Sequence, residues 1–285
     1  MIDNLSASDI ANQISMLRSA YKGSIIVVEG ITDSRLYGKF IDRTEARIIV
    51  AHSKDNVKRS VSEVYGRRKD HKVIGIMDAD LDRMNGVVYN PPLFLCDKRD
   101  QETMMFSSGA LEDLLVEYAD PELLERFEET NGKIRDVVAR AGYPIGLLMF
   151  ISLQYNIGLS FRDLDHRRFI NVRSLAIDVK KMIDEVFYHS QNKSFSKADL
   201  FDLISAEEET LDDPWTAVRG HDAIAVLLIG LLNTFGAYNC NGMDDGRLSG
   251  ALRLAYGPIY FKGSDVCNDV KKWADRNNMS VWLTQ

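Results

Sequence analysis

Three short segments carry carboxylates at spacings suited to chemistry. They are Val27-Val28-Glu29-Gly30-Ile31-Thr32-Asp33, Met77-Asp78-Ala79-Asp80-Leu81-Asp82 and Asp97-Lys98-Arg99-Asp100-Gln101-Glu102. Each follows a short apolar run of the kind that forms a buried strand. Carboxylates drawn to one spot repel each other and cannot all stay ionised unless a cation neutralises them. A hard divalent ion, Mg²⁺ or Mn²⁺, prefers such oxygen ligands and assists phosphoryl chemistry. A carboxylate beside it can then act as general acid or base. Taken singly, each acid also reads as a helix cap or a solvated loop residue. Asp33 in particular suits a helix N-terminus.

Acids from separate segments meet only if the chain folds into an open parallel sheet, which gathers its ligands past the carboxyl ends of its strands. The hydrophobic pattern supports this. A helix is expected over Asp9–Tyr21 with Ser8 as its cap, then a strand at Ile25–Val28 and a helix over Asp33–Ile41 capped by Thr32. A strand at Arg47–Val50 follows, then a helix from Ser53 to about Arg68, a strand at Lys72–Met77 and another at Leu93–Leu95. Strand–helix alternation implies right-handed crossovers and a parallel sheet. If the strand conformation runs on past Met77, Asp78, Asp80 and Asp82 alternate onto one face. Beyond Glu102 helical patterns dominate: 110–129, 134–141, 172–188, 197–208, 217–233 and 265–277. The expected architecture is therefore α/β, with a parallel-sheet module over residues 1–105 and a mainly helical region over 106–285.

Composition narrows the classes. The chain has 285 residues, 45% hydrophobic and 27% charged, with a formal net charge of −7. That is ordinary globular usage and excludes a globally basic nucleic-acid coat. The charge is uneven: residues 1–105 hold 16 Lys and Arg against 15 Asp and Glu, whereas the remainder holds 19 against 27. The three cysteines, Cys96, Cys240 and Cys267, lie far apart with no Cys-x-x-Cys pair, which argues against a disulfide scaffold or a cysteine zinc site. Reduced thiols and an N-terminal stretch interrupted by Asp3, Asp9 and Arg18 predict a cytoplasmic chain. The apolar runs Ala223–Leu232 and Ile145–Leu159 are expected as buried helices, with no role at a membrane.

Glu29-Gly30-x-x-Asp33 after the first strand and Asp78-x-Asp80 after the third resemble the TOPRIM domain, the metal-binding module of topoisomerases, bacterial primases and OLD-family nucleases. The resemblance covers about 100 residues and implies a Rossmann-like sheet flanked by helices. It also implies Glu29 as general acid/base, Asp78 with Asp80 as metal ligands and Asp33 as a second contact. Asp82 and Glu102 join Glu29, Asp78 and Asp80 as candidate ligands for Mg²⁺ or Mn²⁺, and Glu29, Asp33, Asp78 and Asp80 form the candidate catalytic set. A topoisomerase needs a Tyr in a separate gate domain and a primase needs a zinc module; a nuclease needs only water and metal. The Asp97–Glu102 segment and Arg219-Gly220-His221-Asp222 further resemble the stand-alone TOPRIM-like nucleases of the PARIS anti-phage defence system, the AriB-type effectors. That likeness implies an RNase-type toxin aimed at tRNA and restrained by an ABC-type ATPase partner of the AriA kind. A homodimer is compatible with it.

Such a substrate needs cations for its phosphates. Lys54, Lys58, Arg59, Arg67, Arg68, Lys69 and Lys72 cluster around the second crossover helix, and Arg162, Arg167, Arg168 and Arg173 form a second group around His166. Lys54, Lys58, Arg59, Arg67, Arg68 and His221 are the expected substrate contacts, although each cluster alone also fits a solvated helix face. Glu112–Glu129 holds eight acids and one base, and Glu207, Glu208, Glu209, Asp212 and Asp213 form another acidic stretch. Both fit a solvated surface, a docking face for a basic partner, or a screen against polyanions. Two other readings stay open. One is a haloacid-dehalogenase-like phosphatase with Asp78 as nucleophile, although that motif belongs on a first strand. The other is a non-catalytic interaction subunit.

Overall fold

The computed structural model describes residues 5–191, 195–207 and 213–283. In chain order these form α1 (Ala7–Leu17), β1 (Ser24–Val28), α2 (Ile31–Tyr37), β2 (Ala46–Val50), α3 (Lys54–Val61), β3 (Val73–Met77) and β4 (Leu93–Leu95). There follow α4 (Gln101–Phe106), α5 (Ala110–Tyr118), α6 (Pro121–Asn131), α7 (Ile134–Gln154), α8 (Val179–His189) and α9 (Lys197–Glu207). The last elements are α10 (Gly220–Gly230), α11 (Asp245–Ala255), α12 (Pro258–Lys262) and α13 (Asp265–Arg276). The chain divides into two compact units. The first comprises Met1–Ala79, Val87–Asp97 and Gly257–Gln285, and the second Asp80–Gly86 and Lys98–Tyr256.

The first unit is the expected α/β module. Its sheet is parallel, in the order β2-β1-β3-β4. The runs Ile25-Ile26-Val27-Val28 and Val73-Ile74-Gly75-Ile76-Met77 are buried throughout, as central strands covered on both faces must be. On one face Ile10 and Ile14 of α1 and Val57 and Val61 of α3 pack on Ile25, Val27, Ile49, Val73 and Met77. Gly75 permits this closeness: a Cβ there would sit 2.7 Å from Val57 Cγ1 and 2.8 Å from Leu93 Cδ2.

The module does not end at residue 105. Its last strand hands over at Asp97, and the chain's final segment returns to it. Asp42 N donates to Val281 O (3.1 Å), Leu283 N to Phe40 O (2.8 Å) and Ser24 Oγ to Ser280 O (2.7 Å). Phe40 and Phe261 stack with ring centroids 4.2 Å apart, and Phe261 meets Trp282 edge-on at 4.9 Å. These aromatic side chains bury one another, so residues 257–283 belong to the sheet's unit.

Local punctuation also differs from expectation. Ser6, two residues before the expected cap, closes a capping box with Asp9 on α1. Gly30 rather than Thr32 precedes α2. Ser53 caps α3 as expected, accepting from Asn56 N, and the helix continues as a π-helical segment over Ser62–Arg67.

The second unit is helical. The expected helix 110–129 is two helices, because Asp120 accepts from Glu122 N and Leu123 N (both 3.0 Å) and Pro121 opens a new first turn. The separate apolar segments around residues 134–141 and 145–159 merge into α7, which runs through Pro144. By length and composition α7 is long and apolar enough to cross a membrane, but 72% of its apolar window is buried within the protein. Helix α8 starts at Val179, not Val172, with Asp178 as its cap.

Candidate active site

The order β2-β1-β3-β4 has its topological switch point between β1 and β3, because the crossovers leave β1 in one direction and reach β3 in the other. Ligands of such sheets bind in the crevice at that point. Glu29 directly follows β1 and Asp78 directly follows β3, in a parallel register that pairs Val28 with Ile76. The two acids are thereby brought together: Glu29 Oε1 accepts from Asp78 N at 3.0 Å. Both are half-buried.

The surroundings of this pair are largely buried. Cys96, one residue past β4 and fully buried, donates its thiol to Asp78 Oδ1 over 3.7 Å. Beneath lies Tyr37. Burial pushes its phenol well above the usual range, and the negative charges of Asp33, Asp78 and Asp97 push it further. Lys54, in the first turn of α3, donates from Nζ to Ala79 O at 3.2 Å. Asp33 is only 7% exposed and accepts from Gly30 N at 2.7 Å, completing the first turn of α2. It shapes the loop behind Glu29. Asp97 accepts from Asp265 N and Val266 N (both 2.8 Å), at the N-terminus of α13.

The expected alternation of Asp78, Asp80 and Asp82 along one strand face does not occur. The strand stops at Met77, Ala79 is buried, and Asp80 turns into the left-handed region at φ 51°. Asp80 N is held by Arg99 O at 2.7 Å, so Asp80 and Asp82 open a turn that belongs with the second unit. Among the described residues no three His, Cys, Asp or Glu side chains are grouped as a metal cage.

Glu102 also lies in the second unit, in a separate polar cluster with Asp100. Asp100 accepts from Gly220 N (2.7 Å) and Thr103 N (2.9 Å), and burial raises its carboxyl despite these bonds. Glu102 accepts from Ser249 Oγ at 3.0 Å, with Arg253 Nη2 4.0 Å away. Burial first, and the Asp100 carboxylate second, push Glu102 up to about 7. Gly220 fits tightly against both acids: a Cβ there would meet Glu102 Cβ at 2.4 Å and Asp100 Oδ1 at 2.5 Å.

The basic residues divide by role. Lys58, Arg59 and Arg67, with Ser62 and Glu63, line a shallow groove of about 320 Å³ along α3 and its π-helical extension. Arg59 pairs with Asp55 (2.9 Å) and Arg67 with Glu63 (2.7 Å), both on exposed helix faces. Arg68 is a clamp on α1. It donates to Ala11 O, Ser15 Oγ and Asn12 Oδ1 at 2.7–2.9 Å and reaches Glu63 at 3.3 Å.

His221 is exposed, and the histidine of the core is His166. His166 Nε2 lies 2.8 Å from Asp222 Oδ1, and Arg219 binds the same carboxylate through Nη2 (2.6 Å) and Nε (3.0 Å). Burial alone would raise Asp222; the His166 bond and the Arg219 charge hold it down at about 2. Arg162, Arg167 and Arg173 are exposed, while Arg168 pairs with Glu185 at 3.0 Å. In the acidic stretch 112–129, Glu112 pairs with Arg135 and Glu128 with Lys133. The Glu207 side chain, Glu208, Glu209 and Asp212 lie outside the described residues, and Asp213 pairs with Lys98 at 2.7 Å.

Sequence reasoning missed Cys96, Tyr37 and His166. Cys96 had a readable signal, since it occupies the position after β4 that Asp78 occupies after β3. No model of a known protein family matches this chain, and no curated protein matches it.

Proposed function

We propose that this chain is a metal-dependent nuclease of the TOPRIM type with Glu29 and Asp78 at its reaction centre. It would act on RNA, tRNA in the first instance, as the toxic effector of a cytoplasmic anti-phage system restrained by an ABC-type ATPase. The observation that carries the reading is the meeting of two carboxylate residues from separate segments at the β1/β3 switch point, with Glu29 Oε1 3.0 Å from the Asp78 amide. The donor set suits Mg²⁺ or Mn²⁺. Glu29 and Asp78 offer hard oxygens, and Mg²⁺ is commonly held by one or two carboxylates with water and substrate phosphate completing its shell. These two residues would hold the ion, with Asp80 the next acid along the chain. A divalent ion there supplies Lewis-acid polarisation of the phosphoryl oxygens.

The chain's own part is positional and acid–base. The Asp78 amide fixes one oxygen of Glu29, so the carboxylate is oriented before substrate arrives and can take or return a proton at the scissile phosphate. The three described cysteines are free and buried, in keeping with a reducing compartment.

The test is incubation of the purified chain with total tRNA, with and without Mg²⁺, beside Glu29→Ala and Asp78→Asn. Cleavage by the parent in Mg²⁺ is expected, falling at least about 100-fold in either variant. Cutting by both variants at the parental rate would refute the assignment.

A further inference from the structure

We infer that the loop carrying Arg162 and Arg167, with Tyr188 beside it, is a docking surface for single-stranded RNA. The inference rests on the RNA substrate proposed above but needs neither the ion nor the Glu29–Asp78 pair. All of its residues lie in the helical unit. The surface is built outward from a buried fastening. Arg219 donates to Phe161 O through Nη1 (3.3 Å) and Nη2 (3.4 Å) and grips Asp222, whose other partner is His166. Phe161 and His166 are thereby drawn to one point, and the residues that follow them, Arg162 and Arg167, are both exposed. The same turn is tied to α8: Asp165 N donates to Glu185 Oε1 at 3.2 Å and Arg168 pairs with Glu185 at 3.0 Å. Tyr188, in the last turn of that helix, is 75% exposed, and the Arg168 guanidinium lies 6.0 Å from its ring centroid.

Arg126, Arg135 and Arg247 of the same unit each hold a carboxylate. Arg162 and Arg167 hold none among the described residues, although residues 106–285 carry more acids than bases. Two acids share the loop: Arg168 covers Asp165 at 3.6 Å, and Asp163 is exposed. Guanidinium groups present a fork of donors that matches a phosphate. An exposed aromatic ring offers a stacking face to a base of any identity. Cations and a ring side by side are what the backbone and bases of one strand require together. An acidic polypeptide would satisfy the arginines but bring no base for Tyr188, so RNA is the better fit. A loop already fastened to α8 and α10 also loses little freedom when it binds.

Binding without cleavage tests the surface. A fluorescein-labelled oligouridylate about 12 nucleotides long is titrated with the full chain in EDTA across a salt series. Arg162→Ser combined with Arg167→Ser removes two phosphate contacts. The slope of log affinity against log salt is expected to fall by about 1.4, at about 0.7 per contact on a single strand. Arg162→Lys combined with Arg167→Lys is expected to keep the slope, since the charge is unchanged. Tyr188→Leu is expected to weaken binding about 5-fold or more at an unchanged slope, and Tyr188→Phe to bind as the parent does. Arg276→Ser removes an exposed charge from the sheet's unit and is expected to leave the slope alone. The inference is overturned by a parental slope in the double serine variant, by parental affinity in Tyr188→Leu, or by a slope lowered as much per charge by Arg276→Ser. A parent that does not bind overturns it too, as does polyglutamate that displaces the probe as well as unlabelled oligouridylate does. A parent that binds through these residues and cuts no RNA in Mg²⁺ refutes the nuclease assignment and leaves the surface standing.

Discussion

Replacing Glu102 with Gln should stabilise the protein at alkaline pH and leave it nearly unchanged in acid. Glu102 sits against Asp100 and Gly220, its side chain is 19% exposed, and burial with the Asp100 charge lifts it from 4.5 to about 7. The raised value means that the folded chain holds a proton which the unfolded chain releases. The unfavourable term is absent below pH 4.5, grows as pH rises and is complete above pH 7. A shift from 4.5 to about 7 corresponds to about 3 kcal/mol at most, since each pKa unit is worth about 1.4 kcal/mol. Part of that belongs to Asp100, so about 2 kcal/mol is the expected gain. Gln is close to isosteric, carries no charge and keeps an oxygen for Ser249 Oγ. Thermal unfolding of the full chain, followed by circular dichroism at pH 5 and pH 8.5, reads the effect. The variant should melt about 4–8 °C higher at pH 8.5 and within about 2 °C of the parent at pH 5. A variant less stable than the parent at pH 8.5, or shifted equally at both pH values, would refute the reasoning.

Two further substitutions probe the packing. Asp222→Asn removes the charge that balances Arg219 and binds His166. A loss of about 3 kcal/mol in urea unfolding at pH 7 is expected, shrinking as the pH approaches about 2, where the parental carboxylate also takes up a proton. Gly75→Ala drives a methyl to within 2.7 Å of Val57 and 2.8 Å of Leu93. It should cost about 1–3 kcal/mol by the same measurement, and Val57→Ala in the same chain should recover part of that loss.

The central strands were readable because a run of β-branched residues buried on both faces has few other solutions, as Ile25–Val28 and Val73–Met77 show. The rim acids followed from them, since whatever comes directly after a parallel strand stands at its ligand edge: Glu29 and Asp78 were legible together. Asp80 was not, because its turn depends on a hydrogen bond to Arg99 and a left-handed backbone that no periodicity signals. Asp100 and Glu102 read as rim acids by proximity in sequence. Their partners Gly220, Ser249 and Arg253 lie more than 100 residues onward, and only the fold reveals the separate cluster. His166 was overshadowed by the more conspicuous His221 because its own partner, Asp222, lies 56 residues onward. The return of residues 257–283 to the sheet was invisible for a related reason: Phe261 and Trp282 are ordinary apolar positions until Phe40 is set beside them.

That return has a consequence for how the molecule comes into being. The strands that carry Glu29 and Asp78 are synthesised early, yet their aromatic wall is delivered by residues 257–283, more than 150 residues after the last strand. Until those residues are made Phe40 lacks its stacking partner Phe261 and the Ser24 hydroxyl lacks the Ser280 carbonyl it donates to. A nascent or truncated chain carries both rim acids on an unfinished scaffold. The scaffold that carries Glu29 and Asp78 is therefore completed only after the whole helical unit has been made, so its folding has to wait for a contact from far along the chain.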